Sequence, residues 1–81
     1  MLLVLEVSDS SLAYDRGVKL PLYAASAIPE SWVVDLDGES MERYTDPRDG
    51  LYRQTTLARR GETLSSTTVA GLTFDVDAVL G

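Results

Sequence analysis

An unbroken apolar run over residues 1–5 constrains the fold of this chain more than any other feature. A strand of an open antiparallel sheet alternates apolar and polar residues, whereas a strand covered on both faces inside a sheet is continuously apolar. We therefore predict a central strand over residues 2–7. Because a complete domain rarely opens with its central strand, we expect an amino-terminally truncated or internally initiated domain. The strands missing beside the first strand would then be supplied by self-association or not at all.

The next 30 residues predict a crossover back to a second strand. Short polar side chains at residues 8–11 are typical of a strand end and a helix start. Helical spacing of apolar residues follows over residues 12–27, although Gly17 and Pro21 interrupt it. Either a longer helix is kinked at Pro21, or the regular helix begins near Lys19 with Pro21 in its first turn; we favour the second. Residues 31–36 are a β-branched and aromatic strand, so the unit predicts two parallel strands joined by a helix.

The remainder of the chain predicts short antiparallel elements. Residues 39–45 and 51–57 are expected to pair as a hairpin across a turn at residues 46–50. Short strands are predicted near residues 62–64 and 72–76, with one helical turn over residues 76–80. The fold class expected is mixed α/β (α+β), in a single domain over residues 1–81. Its parts are a βαβ core over residues 1–37 and a β-rich extension over residues 38–81.

Composition excludes several kinds of chemistry. The 81 residues contain no cysteine and no histidine, so disulfides, thiolate or imidazole metal sites and all Ser-His or Cys-His catalytic pairs are excluded. A net charge of −6 opposes unspecific binding to nucleic acid or to anionic membranes. The longest apolar run is far shorter than a membrane span and lacks the features of a signal peptide, which predicts a cytoplasmic protein without membrane contact.

Two charged residues stand out as candidates for a catalytic site. Glu6 is the only charged residue in the first strand, and Lys19 is the only lysine in the chain. A carboxylate in such a strand is costly unless it is paired or bound to metal. Each residue also has an ordinary interpretation: Glu6 could reach solvent at the strand end, and Lys19 could form an exposed helical ion pair with Asp15.

The segment over residues 2–37 resembles the Uma-type restriction endonuclease family of the PD-(D/E)xK nuclease superfamily. The matching features are the apolar strand ending in Glu6-Val7, the turn with Ser8 and Ser10, the run Tyr14-Asp15-Arg16-Gly17, then Lys19 and Tyr23, and the strand Pro29-Glu30-Ser31-Trp32-Val33-Val34-Asp35. Beyond residue 37 the resemblance is general, because the family varies there.

The resemblance implies a restriction-endonuclease-like fold that hydrolyses DNA with Mg²⁺ or Mn²⁺. Glu6 and the backbone carbonyl of Val7 would hold the metal, consistent with its preference for oxygen ligands. The usual lysine position of the motif holds Ser8, and Lys19 is the residue that matches the family's cation. Asp15 would then position the Lys19 ammonium, while Tyr23 would bind a phosphate or pack.

The chain also departs from the family, because the Pro-Asp motif on the preceding strand has no counterpart ahead of Met1. The sequence therefore resembles the carboxyl-terminal part of the nuclease domain. Asp35 is expected to cap its strand rather than to replace that aspartate.

Two functions remain open at this point. The first is a DNA endonuclease, reduced or inactive alone, that acts as a dimer; the alternative is a non-catalytic assembly module that dimerises through its exposed sheet edge. Small-ligand binding at the mouth of the βαβ unit ranks last, since no glycine-rich phosphate loop is present. We expect Trp32 in the core, and the pair Arg59-Arg60 and the acidic residues over 35–49 on solvated surfaces.

Overall fold

The computed structural model describes residues 2–8 and 15–81, apart from the side chain of Asp15. Predictions for residues 9–14 lie outside this part. The described chain has a mixed α+β architecture, which confirms the expected class. Its elements are β1 (Leu3–Ser8), a π-helical turn (Asp15–Lys19), α1 (Leu20–Ala25), β2 (Glu30–Asp35), β3 (Ser40–Arg48), β4 (Leu51–Arg59), β5 (Thr63–Ser65), β6 (Thr73–Asp75) and α2 (Val76–Leu80).

A four-stranded sheet in the order β1-β2-β3-β4 organises the fold. β1 and β2 are parallel, as predicted, and both begin within one residue of the predicted positions. In the described part of the chain, however, β1 lies at the edge of the sheet with exposed apolar side chains, so the expected central position is wrong there. β3 and β4 continue the sheet in antiparallel fashion. One row across the sheet joins Glu6, Val33, Glu42 and Leu57. Because paired residues project to the same side of a sheet, the two glutamates share a face.

The regular helix begins late, as predicted. α1 starts at Leu20 with Pro21 at its beginning, and the preceding residues 15–19 form a π-helical turn rather than a loose one. A continuous α-helix would require an amide hydrogen bond that Pro21 cannot donate, whereas proline in a first turn forfeits nothing. Leu20 and Ala24, one turn apart, are buried and fix α1 against the sheet.

The hydrophobic core lies on the sheet face opposite α1. Trp32 and Val34 of β2 project there, and both are buried. The ring of Trp32 meets that of Phe74 edge to face, with centroids 5.3 Å apart. The predicted core position of Trp32 is therefore confirmed. The buried members of this core are Trp32, Val34, Met41, Ala58, Leu64 and Val76.

The β3–β4 hairpin is longer and its turn tighter than predicted. β3 continues through Arg48, and only Asp49 and Gly50 form the turn, so the expected turn over residues 46–50 is wrong. Asp49 and Gly50 have φ angles of 53° and 76°, which is the geometry of the Asp-Gly turn that matches the twist of antiparallel strands. The extra pairing places Tyr44 and Tyr52 in ring contact, with centroids 6.2 Å apart.

A second, two-stranded sheet of β5 and β6 covers part of the core face, followed by α2. The short strands and the closing helical turn were predicted, the latter with the observed bounds. Within residues 2–8 and 15–81, no helix is long and apolar enough to cross a membrane.

Candidate functional site

Glu6, Lys19 and Tyr23 meet on the α1 face of the sheet; we call them the Glu6 cluster. The Lys19 Nζ lies 3.5 Å from Glu6 Oε2, and the Tyr23 hydroxyl donates to Glu6 Oε1 at 2.5 Å. Lys19 closes the π-helical turn and Tyr23 follows four residues later, so both project toward the same strand. Glu6 therefore does not simply reach solvent at the strand end, because both of its carboxylate oxygens have partners.

The Glu6 cluster remains accessible from solvent. The side chains of Glu6 and Lys19 are 25% and 36% exposed. An ion pair at this exposure contributes only about 0–1 kcal/mol to stability. The arrangement is therefore a weak stabiliser, and its carboxylate and ammonium stay within reach of an approaching substrate.

A second cluster on the same face consists of Glu42, Arg16 and Tyr44, and sequence analysis missed it. Arg16 forms a two-pronged ion pair with Glu42, in which Nε lies 3.0 Å from Oε1 and Nη2 contacts Oε2. The Tyr44 hydroxyl donates to Glu42 Oε1 at 2.6 Å. Glu42 and Asp35 are both buried, so the expectation that all acidic residues over 35–49 form a solvated face is wrong for these two residues.

Electrostatics in this Glu42 cluster keep its proton donors protonated. Burial raises the pKa of Tyr44 to about 12, assisted by the hydrogen bond that its hydroxyl donates to the Glu42 carboxylate. Hydrogen bonding to Glu42 also raises the pKa of Arg16. At neutral pH, Tyr44 thus remains a hydroxyl donor and Arg16 remains a cation.

The π-helical turn connects the two clusters. Arg16 and Lys19 are three residues apart on it, and their partners Glu42 and Glu6 lie in one row of the sheet, two strands apart. Neighbouring strands lie ~4.8 Å apart, so the carboxylates are attached to backbones roughly 10 Å apart. The turn therefore places one cation over each carboxylate.

The other predicted site residues are placed as follows. Ser8 is fully buried at the end of β1, beside Asp35 in the register. Ser10 and the side chain of Asp15 lie outside the described residues. The Val7 side chain is exposed, and metal binding by its carbonyl stays a prediction. Asp35 accepts a hydrogen bond from the amide of Gly38 at 2.9 Å, which confirms its predicted capping position.

The oxygen donors at the end of β1 suit a hydrated magnesium ion. Mg²⁺ keeps several waters and is commonly held through one or two carboxylates and substrate phosphates. In the described segments, no three acidic side chains lie close enough to form a metal site. Glu6 with one backbone carbonyl therefore fits a largely water-coordinated ion rather than an all-protein cage.

The most perturbed carboxylate in the described chain belongs to Glu30, on the core face, and sequence analysis assigned it no role of its own. It is fully buried and accepts a hydrogen bond from the indole of Trp32 at 2.5 Å. The amide and hydroxyl of Thr67 also donate to it, at 2.9 and 2.8 Å. Through these contacts Glu30 joins the segment after β5 to the start of β2, and so it stabilises the fold.

The basic pair near the end of β4 takes part in surface contacts. Arg60 forms ion pairs with Glu39 at 2.7 Å and with Asp77 at 3.2 Å, and Arg59 is exposed. The acidic partners neutralise the cation locally. This agrees with the predicted solvated surface and gives no support to a DNA contact there.

The mixed sheet with a carboxylate and a lysine brought together at its parallel edge is compatible with the restriction-endonuclease-like class of folds. A comparison with protein families agrees. The sequence model of the Uma2 family, described as “Putative restriction endonuclease”, matches residues 1–77. The chain belongs to this family, which suggests a nuclease-like function. No curated protein matches the chain.

Proposed function

We propose that this protein is a metal-dependent DNA endonuclease whose active site is the Glu6 cluster. The observation that carries the proposal is the convergence of the Lys19 ammonium and the Tyr23 hydroxyl on the Glu6 carboxylate. Family membership supplies the reaction class. The geometry supplies a carboxylate, a cation and a hydroxyl, which are the groups that phosphodiester hydrolysis uses.

Each residue of the Glu6 cluster has a distinct task in this mechanism. A Mg²⁺ ion at Glu6 would lower the pKa of a bound water and offset phosphate charge. Tyr23 holds one carboxylate oxygen and so fixes the orientation of the group. Lys19 contacts the other oxygen and, with three donor hydrogens, can also reach a phosphate and orient the attacking water.

Local charge balance makes this face suitable for DNA despite the net charge of −6. Glu6 and Glu42 are each paired with a cation from the π-helical turn. Pairing of both carboxylates lowers the repulsion that this face would exert on a polyanion.

The proposal can be tested by measuring the nicking of supercoiled plasmid, because this assay detects a single cut per DNA molecule. We expect slow nicking that requires Mg²⁺ or Mn²⁺, slow because one carboxylate leaves the ion incompletely neutralised. Glu6→Gln removes the metal ligand and Lys19→Ala removes the phosphate-facing cation. Each change should lower the rate by at least about a hundredfold, in the range of a lost acid–base or charge-stabilising group.

Matched controls separate the site from overall charge. Glu62→Gln and Arg53→Ala make the same charge changes at exposed positions and should leave the rate unchanged. Circular dichroism should show that all four variants fold. Nicking that survives in EDTA or in Glu6→Gln contradicts the proposal.

Assembly through β1 is the second candidate function. β1 lies at the edge of the sheet, and its Leu5 and Val7 side chains are 40% and 56% exposed. An apolar edge strand with open backbone groups is a template for pairing with another strand. A second copy of the chain would extend the sheet at this edge and cover both side chains.

Sedimentation velocity tests assembly. We expect a dimer at micromolar concentration and a monomer for Val7→Lys, because a lysine on an edge strand opposes pairing. Leu57→Lys, at an exposed position on β4, is the matched control and should remain dimeric. A monomeric wild type removes the assembly proposal and leaves the nuclease proposal intact.

A further inference from the structure

A cavity lies beside the Glu42 cluster. It has a volume of about 150 Å³ and lies between α1 and the β3–β4 hairpin. Arg16 and Tyr44 belong both to this cavity and to the Glu42 cluster. The six lining residues are Arg16, Leu20, Pro21, Tyr44, Leu51 and Tyr52.

The walls of this cavity suit a flat ring better than a phosphate. Among its six described lining residues, Arg16 alone is charged, and its Nε and Nη2 already bind Glu42. The Glu42 carboxylate therefore neutralises the charge of Arg16 and occupies the edge of the guanidinium that donates hydrogen bonds. The flat face of the guanidinium can still stack on a ring. Tyr44 and Tyr52 add two aromatic rings in mutual contact.

The volume of the cavity matches one ring. An apolar cavity of 150 Å³ in another protein accommodates benzene. The cavity here, at about 150 Å³, accordingly matches one six-membered ring, although it opens to solvent on one side. Among nucleobases, a pyrimidine fills this volume, whereas the fused rings of a purine would extend out of it.

The position of the cavity relates it to the Glu6 cluster. Arg16 and Lys19 lie on one π-helical turn, and their partner glutamates are anchored roughly 10 Å apart on the sheet. A nucleotide advances ~3.4 Å along the axis of B-form DNA, so this distance corresponds to about three nucleotide steps or fewer in an extended strand. Because Arg16 pairs with Glu42 and also lines the cavity, a strand with its phosphate at Lys19 would place a base a few nucleotides away near the cavity.

We propose that this cavity binds an unstacked pyrimidine base of the DNA strand whose phosphate lies at Lys19. The inference rests on the proposed function and adds a substrate class to it. Bases inside a duplex are stacked and cannot enter a pocket, so the preferred substrate is single-stranded or locally unpaired DNA. Tyr52 and Leu51 are assigned to base recognition, separate from the groups that perform hydrolysis.

Fluorescence anisotropy with the full chain tests this site. The probes are labelled oligothymidylate, oligoadenylate and an abasic strand of the same length, all measured in EDTA so that no cleavage occurs. Oligothymidylate should bind about tenfold more tightly than the abasic strand, the scale of one stacked base. Oligoadenylate should bind no more tightly than the abasic strand.

Substitutions in the cavity show where the base binds. Tyr52→Leu should abolish the preference for thymidylate, and Tyr52→Phe, which keeps the ring, should retain it. Leu51→Ala, at an exposed position, should reduce the preference and covers the case in which Tyr52→Leu fails to fold. Any of three results overturns the inference. These are equal binding of thymidylate and abasic strands, a preference that survives Leu51→Ala and Tyr52→Leu unchanged, and no binding at all. Normal nicking without base preference refutes this inference alone, and base preference without nicking refutes the proposed function alone.

Discussion

Replacing Glu30 by glutamine is the sharpest test of how this fold is held together. Its fully buried carboxylate accepts hydrogen bonds from Trp32, Thr67 and Thr68. Glutamine keeps the size of the side chain but exchanges one acceptor oxygen for an NH₂ group. In either orientation that group would face an N–H donor, the indole of Trp32 or the amide of Thr67, so at least one buried hydrogen bond would be lost.

The magnitude follows from the pKa of Glu30. Burial alone would raise this pKa, but the hydrogen bonds from Trp32 and Thr67 outweigh it and lower the value from 4.5 to about 2. Since one pKa unit corresponds to about 1.4 kcal/mol, the ionised carboxylate contributes about 3 kcal/mol to the free energy of unfolding. Because the folded-state pKa is depressed, this contribution is fully present above pH 4.5 and is lost as the pH falls toward 2.

Urea denaturation at several pH values measures both effects. At pH 7 we expect E30Q to lose about 2–3 kcal/mol of unfolding free energy relative to wild type. Below pH 4.5, wild type should lose stability more steeply than E30Q, and the two curves should converge. E62Q removes the same charge at an exposed position, so it serves as the control and should follow wild type.

Two results would refute this reasoning. E30Q as stable as wild type at pH 7 would mean that the donors around residue 30 find other partners. A parallel acid dependence of E30Q and wild type would mean that the Glu30 carboxylate does not titrate with the depressed pKa.

The remaining predictions concern the α1 face and one turn. Glu42→Gln should lower the unfolding free energy by about 1 kcal/mol in urea titrations, because the buried side chain loses its charge-assisted hydrogen bonds while the exposed Arg16 stays solvated. Wild type should lose stability as the pH rises from 10 toward 12, because the raised pKa of Tyr44 means that the folded state favours the protonated phenol. Tyr44→Phe should not show this loss, and an unchanged alkaline profile would contradict the prediction. Gly38→Ala would place a Cβ 2.3 Å from an oxygen of the Asp35 carboxylate and should lower the melting temperature, whereas Gly17→Ala meets open space and should not.

The sequence alone determined the parallel core and pointed to Glu6 and Lys19. Continuous apolar strands separated by a helical stretch permit few arrangements other than a parallel pair with a crossover. The position of Pro21 fixed where the regular helix begins, because the missing amide is a local property. The family resemblance then named Glu6 and Lys19 as one site, and the structure brings them together at 3.5 Å. The hydrogen bond from Tyr23 to Glu6 was not predicted, because Tyr23 was expected to bind a phosphate or to pack.

Only the tertiary structure decided the surroundings of Glu42 and Glu30. Arg16 and Glu42 are 26 residues apart, and Thr67 lies 37 residues from Glu30. The sheet register selects which carboxylate meets which donor, and a shift of one residue would turn each side chain to the opposite face. Acidic composition predicts solvated carboxylates on average, whereas burial of a given carboxylate depends on distant donors that no local pattern specifies.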